Sequence, residues 1–367
     1  MRAMADTLTR AELNRATLAR QMLLDRERVS VPKAVERLGG LQAQEPRPPF
    51  TALWARVAGF RAEQLAKALR DRRVVRATLM RATLHIATAR DYAAIRPALG
   101  SAMDSAMQGA LKGRMEGLDL AKVLPAAREL LADEPLTFNE IRAALAKRFP
   151  RANERSLGYA VRTQLPLVMV PSDDEFAFPR DARFALADDW LGEPVAEEGA
   201  VDALVKRYLG AFGPASAADL QTWSGLRGVR EALEGMGRRL RTFEDEGGRV
   251  LFDLPRAPRP DADVPAPPRF LPEFDSLLLA HDDRSRLIAP EHRGRVVTKN
   301  LRVRATFLWD GMVRGTWSAE RRRDRATLAL EPFERLPKGA AQELRGEGEG
   351  LLRFLHPDAA EHAVTLP

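Results

Sequence analysis

Apolar residues recur at helical spacing over residues 120–132, 139–148 and 154–164, with Ile141, Leu145 and Phe149 on one stripe. Asp133-Glu134-Pro135 separates the first two segments, Pro150 ends the second, and Asn153 is placed to cap the third. Leu167-Val168-Met169-Val170, the polar turn Ser172-Asp173-Asp174 and Phe176-Ala177-Phe178 then predict a β-hairpin. Helix, helix, helix, hairpin is the element order of a winged helix.

The same order returns after a linker near Gly192-Glu193-Pro194. Helices are expected over 197–212, 218–224 and 229–237, followed by Leu240-Arg241-Thr242-Phe243, a glycine turn at Gly247-Gly248, and Val250-Leu251-Phe252. Residues 9–100 fit more loosely, with helices over 9–24, 30–39 and 62–70 and strands at Val74-Val75-Arg76-Ala77-Thr78 and Thr83-Leu84-His85-Ile86. Capping boxes open at Thr9 with Glu12, Thr137 with Glu140, and Ser216 with Asp219. Five prolines between Ala257 and Pro268 mark a linker. Beyond it, strands are expected at 276–279, 295–297, 305–309, 311–317 and 326–330, with a helix from 337 to 347. The expected class is therefore α+β. It divides into three winged-helix units over 1–119, 120–192 and 193–257, then a β-rich region over 258–367.

The 367 residues are 45% hydrophobic and 30% charged, which suits a folded chain with ample core. No apolar run is long enough to span a bilayer, and Met1-Arg2-Ala3-Met4-Ala5-Asp6 lacks the apolar core of a signal peptide. A cytoplasmic protein is the expectation. With no cysteine, thiolate catalysis and cysteine-based metal sites are excluded. The net charge is +7, carried by 50 Arg against 8 Lys. That balance suits a polyanionic partner, although a GC-rich coding sequence explains the arginine equally well.

Gln42-Ala43-Gln44 follows Leu38-Gly39-Gly40-Leu41, and two amides so close can jointly grip one small polar group. Alternation places Arg81, Thr83 and His85 on one strand face, either as the lining of a polar cleft or as a solvated surface. Phe270-Leu271-Pro272-Glu273-Phe274-Asp275 leads to His281 and Arg284, where an acid/base cluster competes with helix capping and a buried ion pair. The five histidines lack zinc spacing, so no metal is expected. Basic runs at 293–304 and 314–325 offer phosphate contacts or a solvated face. No phosphate-binding loop or nucleophile elbow is present.

Taken in order, the segment 38–44, Leu53-Trp54-Ala55-Arg56-Val57, Arg81-Ala82-Thr83-Leu84-His85, the segment 271–284 and the segment 311–317 resemble the winged helix DNA-binding domain-containing family. Its characterised members are AlkZ and YcaQ type DNA glycosylases. The resemblance implies three tandem winged helices in a C-shaped arrangement around DNA, with Gln42 and Gln44 catalytic. A Gln-x-Gln motif, rather than Gln-x-Asp, implies the AlkZ branch. Ala82 departs from the glycine more usual in the family.

The implied activity is a monofunctional DNA glycosylase, without cofactor, acting as a monomer on double-stranded DNA that carries N7-alkylguanine-type lesions or interstrand crosslinks. In this reading the Gln42 and Gln44 carbonyls hold the attacking water and stabilise positive charge at the sugar. Arg56, Arg81, Thr83, His85, Arg284, Arg314, Arg321, Arg322 and Arg323 are the candidate DNA contacts. The alternatives are a non-catalytic winged-helix DNA-binding protein or transcriptional regulator, and a protein–protein scaffold.

Overall fold

The computed structural model describes residues 6–196, 201–300 and 302–367. The opening of the helix expected from residue 197, and the Met1–Ala5 segment, lie outside them. The chain begins with β1 (Thr7–Leu8) and α1 (Arg10–Arg20). One order of elements then occurs three times. The first instance is α2 (Val31–Arg37), β2 (Leu41–Gln42), α3 (Pro48–Trp54), α4 (Ala62–Arg70), β3 (Val74–Thr78) and β4 (Leu84–Thr88). Two helices, α5 (Ala89–Ile95) and α6 (Gly100–Ala110), lead to the second: α7 (Leu120–Asp133), β5 (Leu136–Thr137), α8 (Phe138–Arg148), α9 (Glu154–Gln164), β6 (Leu167–Met169) and β7 (Arg183–Leu186). After α10 (Ala187–Leu191), the third comprises α11 (Val201–Phe212), a bridge at Ala215, α12 (Ala217–Ser224), α13 (Val229–Gly235), β8 (Arg241–Asp245) and β9 (Val250–Asp253).

In every instance the short first strand pairs with the last. Gln42 lies opposite His85, Thr137 opposite Arg183, and Ala215 opposite Phe252. All three capping boxes form, with each acidic side chain accepting from the N-cap backbone N–H at 2.7–2.8 Å. In the second and third instances the box follows the short strand directly. Between β2 and α3, Ala43–Arg47 intervene instead, and Arg47 gives α3 no side-chain cap. Pro48 and Pro49 start that helix without one, since the first-turn N–H groups have no intrahelical partners. The Gln42–Gln44 segment is thereby free of capping duty.

The first repeat begins at α2 rather than at α1, which is buried over most of its length. Strand β1 runs parallel to β8, pairing Thr7 with Glu244, and the buried Arg20 holds Asp253 of β9 through bonds of 2.7 and 2.9 Å. The amino-terminal elements thus serve the third repeat. The first and second repeats share one sheet of order β2-β4-β3-β6-β7-β5. Strand β3 is buried on both faces: Val74 enters a core with Leu38, Leu53, Ile141 and Leu157, whereas Val75 and Ala77 enter another with Leu209 and Trp223. Period-two alternation leaves Arg76 on the first of these faces.

A third sheet, of order β10-β11-β12-β13-β14, comprises β10 (Arg269–Leu271), β11 (Thr306–Trp309), β12 (Met312–Arg322), β13 (Arg325–Pro332) and β14 (Glu361–Thr365). It packs Phe307, Leu328 and Leu330 on Leu344, Leu351 and Leu352 of a helix spanning Ala340–Leu355.

Three strand expectations fail. Phe176-Ala177-Phe178 is a turn, with Ala177 at φ 63°, and β7 follows it as the true partner of β6. There Phe176 packs edge-on against Phe50, so the segment supplies core contacts rather than a ladder. Ser276–Leu279 is a 3₁₀ turn capped by Asp275, whose Oδ1 accepts from the Leu277 N–H at 3.0 Å. Arg293–Val296 is a short helix. Among the described residues no helix is long and apolar enough to cross a membrane.

Candidate functional site

Gly39 and Gly40, at φ 68° and 87°, turn the chain from α2 into β2. A Cβ on Gly40 would stand 3.1 Å from the Ile86 carbonyl, so this close approach to β4 requires glycine. Beyond β2 the chain leaves the sheet and is pinned from three sides. Arg76 donates from Nε to the Ala43 carbonyl at 2.9 Å and from Nη2 to the Gln44 carbonyl at 3.1 Å, while its guanidinium stacks 4.8 Å from the Phe178 ring. Ser276 Oγ accepts from the Gln42 N–H at 3.0 Å. Arg81 Nη2 donates to Gln42 Oε1 at 2.7 Å, and its Nη1 donates to the Trp223 carbonyl. Gln42 is only 8% exposed, whereas Gln44 is exposed and its Oε1 accepts weakly from the Leu84 N–H at 3.4 Å.

The site is cationic. Burial lowers Arg76 to about 10 against the pull of Glu45, and burial with the neighbouring Arg284 lowers Arg81 to about 10. Both stay charged at neutral pH. His85 is pushed down to about 3 by burial and then by Arg81, so its ring is neutral. Its Nδ1 lies 3.0 Å from the Thr83 carbonyl, which can only accept, so Nδ1 carries the proton.

Several expected DNA contacts are placed elsewhere. Arg56 is 1% exposed and grips Asp275 with two bonds of 2.8 and 2.9 Å, so it is a structural ion pair and no phosphate ligand. His85 is equally buried, with the Gln42–His85 ladder closing over it. Arg81, Thr83 and His85 share no strand face. Arg81 and Ala82 form the tight connection between β3 and β4, both with positive φ, and the Thr83 hydroxyl donates to the Met80 carbonyl at 3.0 Å. Arg284 is half-buried, and Arg314 is half-buried on β12. Arg321, Arg322 and Arg323 are exposed around the two-residue turn joining β12 to β13.

Sequence reasoning overlooked Arg76 and Ser276. A charge inside the apolar run Val74-Val75-Arg76-Ala77 was the available sign of the first. Nothing in the sequence marked the second. Beside the motif, a cleft of about 540 Å³ is lined by Glu45, Arg47, Thr51, Glu273 and Trp317. Among the described residues, one group has metal-ligand proximity: Glu291, His292 and Glu334, with exposed carboxylates and a 3.2 Å His292–Glu334 contact.

Ala82 sits at φ 54°, where a Cβ collides with the following carbonyl. The departure from glycine therefore carries strain. Ala82→Gly is expected to raise stability by about 0.5–1 kcal/mol, read as a higher urea midpoint at unchanged slope.

A family model described as "DNA glycosylase AlkZ-like" matches residues 35–354. A Streptomyces sahachiroi protein named "Interstrand DNA cross-link repair glycosylase" is 26% identical over 353 residues, covering 89% of this chain and 92% of the relative. The solved structure of Streptomyces sahachiroi DNA glycosylase AlkZ superposes with a TM-score of 0.80 at 22% identity, covering 98% of this chain and 100% of that one, which shows a shared fold. The matched stretch runs from within α2 through the rest of the three repeats and most of the third sheet, along with the Gln42–Gln44 segment and each residue that pins it; the chain belongs to the AlkZ-like DNA glycosylase family.

Proposed function

We propose that the chain is a monofunctional glycosylase for labile alkylated purines of the N7-alkylguanine type, and that it unhooks interstrand crosslinks made through such adducts. The three repeats are read as winged helices that cradle double-stranded DNA in a C-shaped frame, with the protein acting as a monomer. Exposed Arg321, Arg322 and Arg323 suit phosphate contacts, with Arg284 nearer the motif.

The observation that carries this reading is the motif itself: two neutral amides on a backbone junction that Arg76 and Ser276 hold, with the Gln42 amide bound in addition by Arg81. N7-alkylation makes the purine a cationic leaving group. When the C1′–N9 bond breaks, its electron pair neutralises the base, and water adds at C1′ with loss of a proton to solvent. Such a substrate needs little acid catalysis. The site has to hold the water in line and stabilise positive charge at the sugar, work that preorganised dipoles perform.

The test is incubation of the purified chain with duplexes containing N7-methylguanine or a crosslink through guanine N7. Free base and abasic sites are expected from both. Release of neither would overturn the substrate assignment, and release of the monoadduct alone would remove crosslink unhooking from it.

A further inference from the structure

The two glutamines of the motif are not held alike. Gln42 Oε1 faces Arg81 Nη2 at 2.7 Å, and a guanidinium carries donors only, so the atom turned towards Arg81 is necessarily the amide oxygen. The planar carboxamide then points its NH₂ away from Arg81. Among the described residues that Nε2 has no hydrogen-bond partner, and it retains access to solvent. Gln44 shows the reverse bias: it is exposed, and its oxygen makes only the 3.4 Å contact with the Leu84 N–H.

Arg81 is itself held from several sides. Its backbone and that of Ala82 are both left-handed, at φ 56° and 54°, a conformation that persists only when the surroundings enforce it. Its second donor arm binds the Trp223 carbonyl in the last turn of α12, at the negative end of that helix. A Cβ on Gly225, just past that turn, would lie 3.4 Å from Arg81 Cα, so the third repeat packs against the backbone of the turn.

We propose that Arg81 is a positioning residue that locks the Gln42 carboxamide with its oxygen inward, so that Gln42 serves the substrate as a hydrogen-bond donor and Gln44 alone supplies the acceptor carbonyl. This rests on the glycosylase reading above. It replaces the expectation of two equivalent carbonyls. The attacking water is gripped at oxygen by the Gln42 NH₂ and at hydrogen by the Gln44 carbonyl. One lone pair remains for C1′ as the C1′–N9 pair leaves with the base, and the released proton passes to solvent.

The experiment measures single-turnover release of N7-methylguanine from duplex DNA by the full chain. Gln42→Glu keeps a partner for Arg81 but has no NH₂, and is expected to lose about 10²-fold, as much as Gln42→Ala. Gln44→Glu keeps an acceptor and is expected to lose far less than Gln44→Ala. Arg81→Met is expected to lower the rate at saturating enzyme about 10-fold or more without raising the half-saturating concentration, with partial rescue by Arg81→Lys. Its effect should vanish in a Gln42→Ala background, because both changes remove one interaction.

Wild-type rates from Gln42→Glu, or an Arg81→Met loss that adds in full to that of Gln42→Ala, would overturn the assignment while leaving the glycosylase reading intact. A wild-type chain that releases no base from any alkylated duplex would overturn both.

Discussion

Gln42→Ala and Gln44→Ala are each expected to lower N7-methylguanine release from duplex DNA by roughly 10²-fold, the usual loss when one preorganised dipole is removed from a reacting centre. Saturating single-turnover kinetics are the measurement that separates this from weakened binding. An interaction made only in the transition state lowers the rate constant and leaves the half-saturating concentration unchanged. The two losses should not multiply, since both amides act on one water and one sugar. Neither variant should unfold the chain. Gln44 is exposed, and Gln42→Ala leaves the Gln42 N–H bond to Ser276 and both Arg76 bonds to the neighbouring carbonyls in place. Unchanged release from both variants would remove the motif from the chemistry. An equal loss in a DNA-binding titration would move it to recognition instead.

The spacing of Gln42 and Gln44 was legible in the sequence, because the signal is local: two like side chains beyond a glycine pair. Their supports were less so. Arg81 was singled out through strand alternation, yet it occupies a left-handed turn, a conformation that Arg-Ala gives no reason to expect. Ser276 reaches the motif across 234 positions and Asp275 reaches Arg56 across 219, and no periodicity encodes such pairings.

Local capping rules worked for the fold wherever the helix started with its own hydroxyl and acid, as at Thr137 and Ser216. They gave no warning of α3, which starts on two prolines without a capping side chain. The run Ser276-Leu277-Leu278-Leu279 was too short for period to distinguish strand from turn, and Asp275 as its cap decided the outcome. Strand β1 was invisible because two residues carry no pattern, and its partner β8 lies far along the chain in the third repeat.

Asp275→Ala is expected to destabilise the chain by about 3–5 kcal/mol, the cost of leaving a buried cation without its partner. Arg56 would keep only the 3.0 Å bond from Nη1 to the Ala52 carbonyl, with its side chain 1% exposed. The same change removes the cap of the turn that carries Ser276, and Ser276 holds the Gln42 backbone. Stability and activity should therefore fall together in this variant, and a pair of further variants separates them. Asp275→Asn can still cap the turn and accept one bond from Arg56, so its urea midpoint should lie between wild type and Asp275→Ala. Arg56→Met combined with Asp275→Leu replaces the ion pair by apolar volume, an exchange that is often neutral or stabilising. Its stability should recover to near wild type. Base release should remain depressed, because the turn beneath Gln42 still lacks its cap. Full recovery of both properties would mean that the Arg56–Asp275 pair serves stability alone and that Ser276 finds its place without the capping carboxylate.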